Sequence, residues 1–486
     1  MENDRKICIR ADGSPEIGLG HVVRCMSLAH MLTDDFSIHF YVFEIPDSLK
    51  NEINQNGWDV TVIEKESDFL NELTGNEIVV LDSYQFYSDY QKQLKDKGCK
   101  LVCIDDFHDQ HFYADLVINH APGVTKGHYD GELYTKYLLG PDYSLLRPEF
   151  LETKSYENKK ISRDVKNIFV CFGGSDSKNL TAKVLSWLPL ENYTVTLVLG
   201  NAYPHRDELN TVIEERKDLE IVVKNSLSAK EMSNELEQAD LAIVPASGIL
   251  FEVISTGLPV ISGYYTENQQ NVYSGFKANN VFYDAKSFNE QDFLKAFSIA
   301  IKKKDDEIVE NQQNCVDGLS PKRFRSKFLG LLYSNILQIR EADIDDMEQY
   351  FKWANDESVR ANAFNTEDIP WNDHVTWFKK KLSNNHSRMY IFEIDDRGVG
   401  QVRFDKENEE VWDIDYMLDE DFRGFGLGSE IIDRGLKKLI FEEKRVKVQA
   451  LVKTDNIPSE KVFEDLNFKK HNFKEGTIKF TYEEKI

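Results

Sequence analysis

No Cys-x-x-Cys pair occurs in the 486 residues. No apolar run approaches the ~18 residues that a membrane span needs. The six cysteines, Cys8, Cys25, Cys99, Cys103, Cys171 and Cys315, are scattered. Several lie in apolar runs, where a reduced thiol behaves as a small hydrophobe. A disulfide framework and a cysteine zinc site are therefore not expected. No His, Asp and Glu cluster stands at metal-ligand spacing, so metal independence is expected as well. Positive charge is also scarce: 59 Lys and Arg stand against 84 Asp and Glu, a formal net charge of −25. That balance argues against a nucleic-acid partner, which wants a basic face. No membrane partner is expected either. The charged opening Met1 to Lys6 leads straight into a strand-like run and lacks a signal peptide's apolar core, so a cytoplasmic location is expected. An acidic chain can still bind phosphate in a small pocket of backbone amides.

What is present is alternation. Apolar strand candidates at Lys6 to Arg10, Ile38 to Phe43, Val60 to Ile63, Ile78 to Asp82, Leu101 to Asp105 and Leu116 to Asn119 are mostly separated by helical patterns. This spacing predicts β-α units around a parallel sheet. A polar stretch, Glu152 to Asp164, interrupts it as a linker. The alternation restarts at Val165 to Phe172, Val195 to Leu199, Ile221 to Val223, Leu241 to Pro245 and Val260 to Ile261. After Tyr333 the pattern becomes mixed α+β, with strands at Ile336 to Ile339, Met389 to Ile394, Gly400 to Asp405, Val411 to Leu418 and Lys447 to Val452. Helices are expected at Asp343 to Asn355, Ser429 to Glu442 and Pro458 to Leu466. The expected fold is α/β: two Rossmann-like domains, 1–155 and 156–334, and an α+β domain, 335–486.

Four turns are candidates for chemistry. The first strand runs into Arg10-Ala11-Asp12-Gly13-Ser14 and then Ile17-Gly18-Leu19-Gly20-His21-Val22-Val23-Arg24, which opens a helix. Its glycines allow a tight turn and close ligand approach. The helix start offers free amides at the sheet's carboxyl edge, and His21 there suits general-base work. A glycine turn that merely packs a helix on a strand explains the motif about equally well. In the second half, Ala246-Ser247-Gly248 follows a buried strand, and Glu252 sits one helical turn on, placed to accept both ribose hydroxyls. Phe172-Gly173-Gly174-Ser175-Asp176 reads either as a ligand contact or as ordinary turn chemistry. Near the C-terminus, Arg423-Gly424-Phe425-Gly426-Leu427-Gly428-Ser429 leaves successive amides at a helix start, a cradle suited to pyrophosphate.

Together the first three of these turns, Asp82-Ser83-Tyr84, Ile104-Asp105-Asp106, Gly140 to Phe150 and Glu267-Asn268-Gln269 resemble the UDP-2,4-diacetamido-2,4,6-trideoxy-β-L-altropyranose hydrolases of pseudaminic acid synthesis. The resemblance covers nearly all of residues 5–330. It implies a glycosyltransferase-B arrangement with a UDP-sugar in the cleft. It also implies His21 as the base that activates water, Glu252 on the ribose and amides near Ser247 and Gly248 on the diphosphate. Tyr84, Arg147, Asn268 and Gln269, with Gly20 and Arg24, would contact substrate, and Asp12 would orient the sugar or His21. A glycosyltransferase with the same fold would place an acceptor where water stands, and the fold cannot separate the two.

Residues 336–486 resemble the GNAT N-acetyltransferases. The resemblance implies acetyl-CoA as cosubstrate, with its pyrophosphate on Phe425 to Ser429 and Asn456 on the pantetheine arm. Many members carry a tyrosine seven residues after that Asn, as acid to the leaving thiolate; here Phe463 stands there. Asp413, Asp415, Glu367 and His374 are the candidate bases, and a non-catalytic CoA-binding module stays open. Together the two resemblances imply 4-N-acetylation of UDP-4-amino-4,6-dideoxy-N-acetyl-β-L-altrosamine, followed by hydrolysis to UDP and the free diacetamido sugar.

Overall fold

The computed structural model describes residues 5–14, 18–151, 165–174, 176–200, 203–302, 306–443 and 446–483. The expected linker Glu152 to Asp164, Ile17 of the first turn and Ser175 of the third strand-end turn lie outside them. The chain divides into two compact units, Met1–Arg325 and Ser326–Ile486.

The first unit holds two large parallel sheets and a small two-stranded one, His111–Phe112 with Asp130–Gly131. From edge to edge, one large sheet runs Asp59–Val62, Ser37–Val42, Lys6–Ala11, Ile78–Asp82, Lys100–Ile104, Leu116–Asn119 and Lys136–Leu139. Every neighbouring pair is parallel. The central strands are buried on both faces, as their unbroken apolar runs require when helices cover a sheet. The second sheet runs Glu220–Asn225, Thr194–Leu199, Asn167–Val170, Leu241–Pro245, Val260–Gly263 and Tyr283–Asp284, again all parallel. Two apolar clusters cover its faces. The edge strands Lys136–Leu139 and Tyr283–Asp284 are additions to the expected set.

In both sheets the polar turns fall at the carboxyl ends of the strands. A Cβ on Gly200 would collide with the Gly174 backbone, so the loops after Asn167–Val170 and Thr194–Leu199 approach as closely as only glycine permits. Gly173 has φ +81° and open space where a side chain would stand.

The second unit is one sheet of seven strands: Gln338–Glu341, Ser387–Ile394, Arg397–Lys406, Val411–Leu418, Lys447–Lys453, Thr477–Glu483 and Lys469–Lys474. All its pairs are antiparallel save one. Val411–Leu418 runs parallel to Lys447–Lys453, and their pairing covers only Val411 to Asp413 against Lys447 to Gln449. Beyond Asp413 the two strands part, which leaves a notch in the middle of the sheet. The helices Leu427–Glu442 and Ile457–Asp465 pack beside that notch. The segment around Glu367 and His374, expected as a loop, includes the helix Trp371–Leu382. The last two strands were not expected.

Candidate active sites

In the first unit a cavity of about 540 Å³ takes its walls from the strand ends of both sheets. His21 stands in the first turn of the helix Gly20–Leu32 and lines it. Its Nδ1 lies 2.7 Å from Oδ1 of Asp82, the last residue of Ile78–Asp82, whose side chain is fully buried. Arg24, one turn further along the helix, donates to both Asp82 oxygens at 2.6 Å and to both Asp106 oxygens at 2.8 and 3.0 Å. Tyr84 donates to Asp106 at 3.0 Å and packs edge-on against His21, with centroids 4.7 Å apart.

The electrostatics follow from these contacts. Burial alone would raise both aspartates, but Arg24 overrides it. Asp82 falls below its ordinary value, with His21 assisting, and Asp106 is held at about 2. An ionised Asp82 fixes the Nδ1–H tautomer of His21 and leaves Nε2 as the basic nitrogen. Asp12 was expected as a candidate to orient His21; the structure gives that place to Asp82. Asp12 instead pairs with Arg10 at 2.8 Å and accepts the Phe43 amide at 2.6 Å, because it ends a different strand. Asp82 was visible as the acid closing an apolar strand and Asp106 as an acid just past the end of another, but their convergence on one helix face is tertiary.

The opposite wall is the helix Gly248–Ser255, which begins at Ser247. A Cβ at Gly248 would meet no atom within 4 Å, so the amides of Gly248 and Ile249 at the helix start are approachable, while the Leu250 amide already donates to the Ser247 carbonyl at 2.9 Å. Arg147 was expected on the substrate. It lines the cavity, and its guanidinium forks onto Glu252, Nε to Oε1 at 2.7 Å and Nη2 to Oε2 at 2.8 Å. Each Glu252 oxygen keeps a further lone pair for a hydroxyl. Asn268 and Gln269 also line the cavity: Asn268 accepts the Thr266 hydroxyl at 2.7 Å, and Gln269 accepts the Tyr265 amide at 2.9 Å. Gly20, like Gly248, has open space where a side chain would stand. Among the described residues no group of three or more His, Cys, Asp and Glu is placed to hold a metal ion.

In the second unit the turn Arg423 to Ser429 leads into the helix Leu427–Glu442. Gly424 and Gly426 have φ of +85° and +79°, and both face open space. The turn is held from behind. Arg423 donates to the Leu418 carbonyl at 3.0 and 2.9 Å and pairs with Asp356 at 2.9 Å. A Cβ on Gly330 would strike the Phe425 carbonyl. Arg423 thus braces the turn through its side chain. Asn456 caps the helix Ile457–Asp465, its side chain accepting the Ser459 amide at 3.2 Å.

Residues 337–469 match the family model described as Acetyltransferase (GNAT) domain. The second unit carries a GNAT acetyltransferase domain. An uncharacterized protein of Methanocaldococcus jannaschii is 28% identical over 96% of this chain and 97% of its own length. The spore coat polysaccharide biosynthesis protein SpsG of Bacillus subtilis is 28% identical over 54% of this chain and 78% of that protein. The UDP-2,4-diacetamido-2,4,6-trideoxy-beta-L-altropyranose hydrolase of Campylobacter jejuni is 26% identical over 55% of this chain and 94% of that protein. The chain is thus similar to such hydrolases and carries a GNAT domain besides.

Within the GNAT domain the candidate bases separate. His374 is buried, its Nε2 at 2.9 Å from the Met347 carbonyl among Phe351, Trp371, Trp377 and Phe378, and burial pushes its pKa down. It is a core residue. Asp413 accepts Gln449 Nε2 at 2.6 Å, and Glu367 is exposed. Asp415 lies beyond the parting of the strands. It accepts Gln401 Nε2 at 3.0 Å, Gln401 in turn accepts Tyr350 at 3.0 Å, and Arg403 lies 3.6 Å away. Phe463 is buried against Phe468 and Phe480. Edge-on to its ring stands Tyr416, a residue the sequence reading did not single out, with its hydroxyl 3.0 Å from Ser459 Oγ. Burial raises the Tyr416 pKa, so its hydroxyl keeps its proton.

Proposed function

We propose that the first unit hydrolyses the anomeric bond of a UDP-2,4-diacetamido-2,4,6-trideoxy-β-L-altrose. The GNAT domain, in this reading, first makes that substrate by acetylating the 4-amino group of UDP-4-amino-4,6-dideoxy-N-acetyl-β-L-altrosamine with acetyl-CoA. The observation that carries the hydrolase half is the His21–Asp82 pair at a cavity whose far wall is the Gly248 helix start. The two parallel sheets that supply these walls are read as a glycosyltransferase-B arrangement.

The chemistry is a displacement at the anomeric carbon. His21 Nε2 takes a proton from water as the water oxygen bonds that carbon. The bond to the diphosphate oxygen breaks, and its electron pair leaves with UDP. Attack opposite the leaving group inverts the centre, and no metal takes part in any step. Asp82 stabilises the imidazolium that forms. The amides at Gly248 face the charge that develops on the diphosphate. Glu252, held by Arg147, accepts the ribose hydroxyls.

In the GNAT domain the amides from Phe425 to Ser429 hold the CoA pyrophosphate, and the parted strands admit the pantetheine arm. Asp415 receives the amine proton as the amide bond forms. The departing thiolate takes a proton from Tyr416, whose phenolate is restored from solvent through Ser459.

The test mixes the purified protein with the UDP-linked 4-amino sugar, with and without acetyl-CoA, and follows CoA and UDP separately. CoA release together with acetyl-CoA-dependent UDP release supports both halves. UDP release only on adding a sugar acceptor would make the first unit a glycosyltransferase.

A further inference from the structure

The strand Leu116–Asn119 ends, like its neighbours, at the carboxyl edge of the first sheet, and the next residue brings a second histidine, His120, to the cavity wall. The ring lies on Phe251, with centroids 4.3 Å apart and planes 31° from parallel. Phe251 precedes Glu252 on the helix that starts at Gly248, so His120 sits against the element assigned to the nucleotide. The Leu145 amide donates to His120 Nδ1 at 3.5 Å. With Nδ1 accepting, the ring proton belongs on Nε2. Among the described residues Nε2 has no hydrogen-bond acceptor.

The two histidines of one cavity are thereby given opposite characters. His21 has a buried carboxylate on its Nδ1. His120 has a backbone amide there, and burial reinforced by the Arg24 charge pushes it down to about 4, against the pull of Asp106 and Asp82. Histidines set apart in this way divide their labour: one accepts a proton, the other presents an N–H without releasing it.

We infer that His120 is a neutral hydrogen-bond donor to the diphosphate of the bound nucleotide, through Nε2–H and beside the Gly248 amides. This rests on the hydrolase reading for the chemistry, but on the cavity alone for the nucleotide. No proton leaves His120 in the reaction. As the anomeric bond breaks, its N–H shares the charge gathering on the diphosphate oxygens.

The experiment compares His120→Phe, which keeps a ring on Phe251, with His120→Gln, whose side-chain amide carries an N–H close to the position of Nε2. Calorimetry with UDP alone and single-turnover hydrolysis are both read, after circular dichroism shows each variant folded. The Phe variant should weaken UDP binding about tenfold or more, as expected for losing a hydrogen bond to a charged group. It should also slow hydrolysis by roughly 10²-fold. The Gln variant should stay within about threefold of wild type in both, since it restores the same donor. UDP binding by the Phe variant at wild-type strength would overturn the assignment. So would equal losses in Phe and Gln, which would make the ring's shape the cause. A His120-dependent tightening of UDP between pH 8 and pH 6 would show that the ring titrates and would overturn it too. If wild type binds UDP but releases none from the sugar nucleotide, the hydrolase reading fails while the binding comparison still decides His120.

Discussion

Asp82 Oδ1 lies 2.7 Å from His21 Nδ1, and the same carboxylate accepts two hydrogen bonds from Arg24 at 2.6 Å. One buried acid therefore sets both the tautomer of the histidine and the position of the arginine. Asp82→Asn keeps the shape but can offer its amide N–H to Nδ1, which favours the wrong tautomer. Hydrolysis should fall by about 10⁴-fold on the precedent of such substitutions, with UDP affinity and acetyl transfer unchanged. His21→Ala should remove hydrolysis and also leave acetyl transfer intact. Equal loss of both activities in either variant would argue against separate sites.

The way these residues could be read in advance has a physical limit. Strands Ile78–Asp82, Leu116–Asn119, Leu241–Pro245 and Val411–Leu418 were legible to the residue, because each is a short apolar or alternating run between polar turns. Lys469–Lys474 was not: its sequence, KKHNFK, is exposed throughout and shows no buried face. It exists because Thr477–Glu483 pairs with it. The helix Trp371–Leu382 was missed although His374 and Phe378 bury one face at a four-residue spacing. His21, Gly248 and Glu252 were legible from turn chemistry. Their partners Asp82 and Arg147 are 61 and 105 residues away, a pairing that no local pattern encodes.

Arg147 and Glu252 form a two-bond fork at the cavity wall. Lysine keeps the charge but cannot make both bonds in one plane. Arg147→Lys should therefore loosen Glu252 and raise the Kd for UDP about tenfold, read by calorimetry with UDP and with uridine. If Arg147 instead touched the sugar, UDP affinity would be unchanged and only the affinity for the sugar nucleotide would drop.

Gly426 combines a positive φ with open space. Gly426→Ala introduces only the backbone penalty, about 1 kcal/mol, and should raise KM for acetyl-CoA several-fold. Gly426→Glu adds a carboxylate where the pyrophosphate is proposed to sit and should abolish acetyl transfer. Hydrolysis of the already acetylated substrate should continue at the wild-type rate. Normal acetyl-CoA turnover by the Glu variant would remove the CoA from this turn.

Acid should weaken the fold through the cavity. His120 has a pKa of about 4 in the folded protein against an ordinary 6.5. Between these values the unfolded chain binds the proton and the folded chain does not, so stability present above pH 6.5 is lost as pH falls towards 4. Asp106, held at about 2 against an ordinary 3.8, adds a second loss below pH 3.8. Urea unfolding at pH 7 and pH 5 should show wild type losing on the order of 1 kcal/mol more than His120→Phe, which has no proton to take up. Equal losses in the two proteins would place the acid sensitivity elsewhere.

Tyr416 stands edge-on to Phe463, where a tyrosine would otherwise serve, and its hydroxyl meets Ser459 on the same helix. In the proposed transfer, the proton that Phe463 cannot give comes from this same small cluster, carried by the strand instead of the helix. Tyr416→Phe should lower kcat for acetyl transfer by roughly 10²-fold, the usual contribution of a positioned acid. KM for acetyl-CoA should hardly change, because the ring and its packing remain. The basic limb of the pH–rate profile should go with the hydroxyl. Ser459→Ala should have a milder effect in the same direction. A purely structural Tyr416 would show the reverse, with KM raised, kcat kept and the pH profile unmoved.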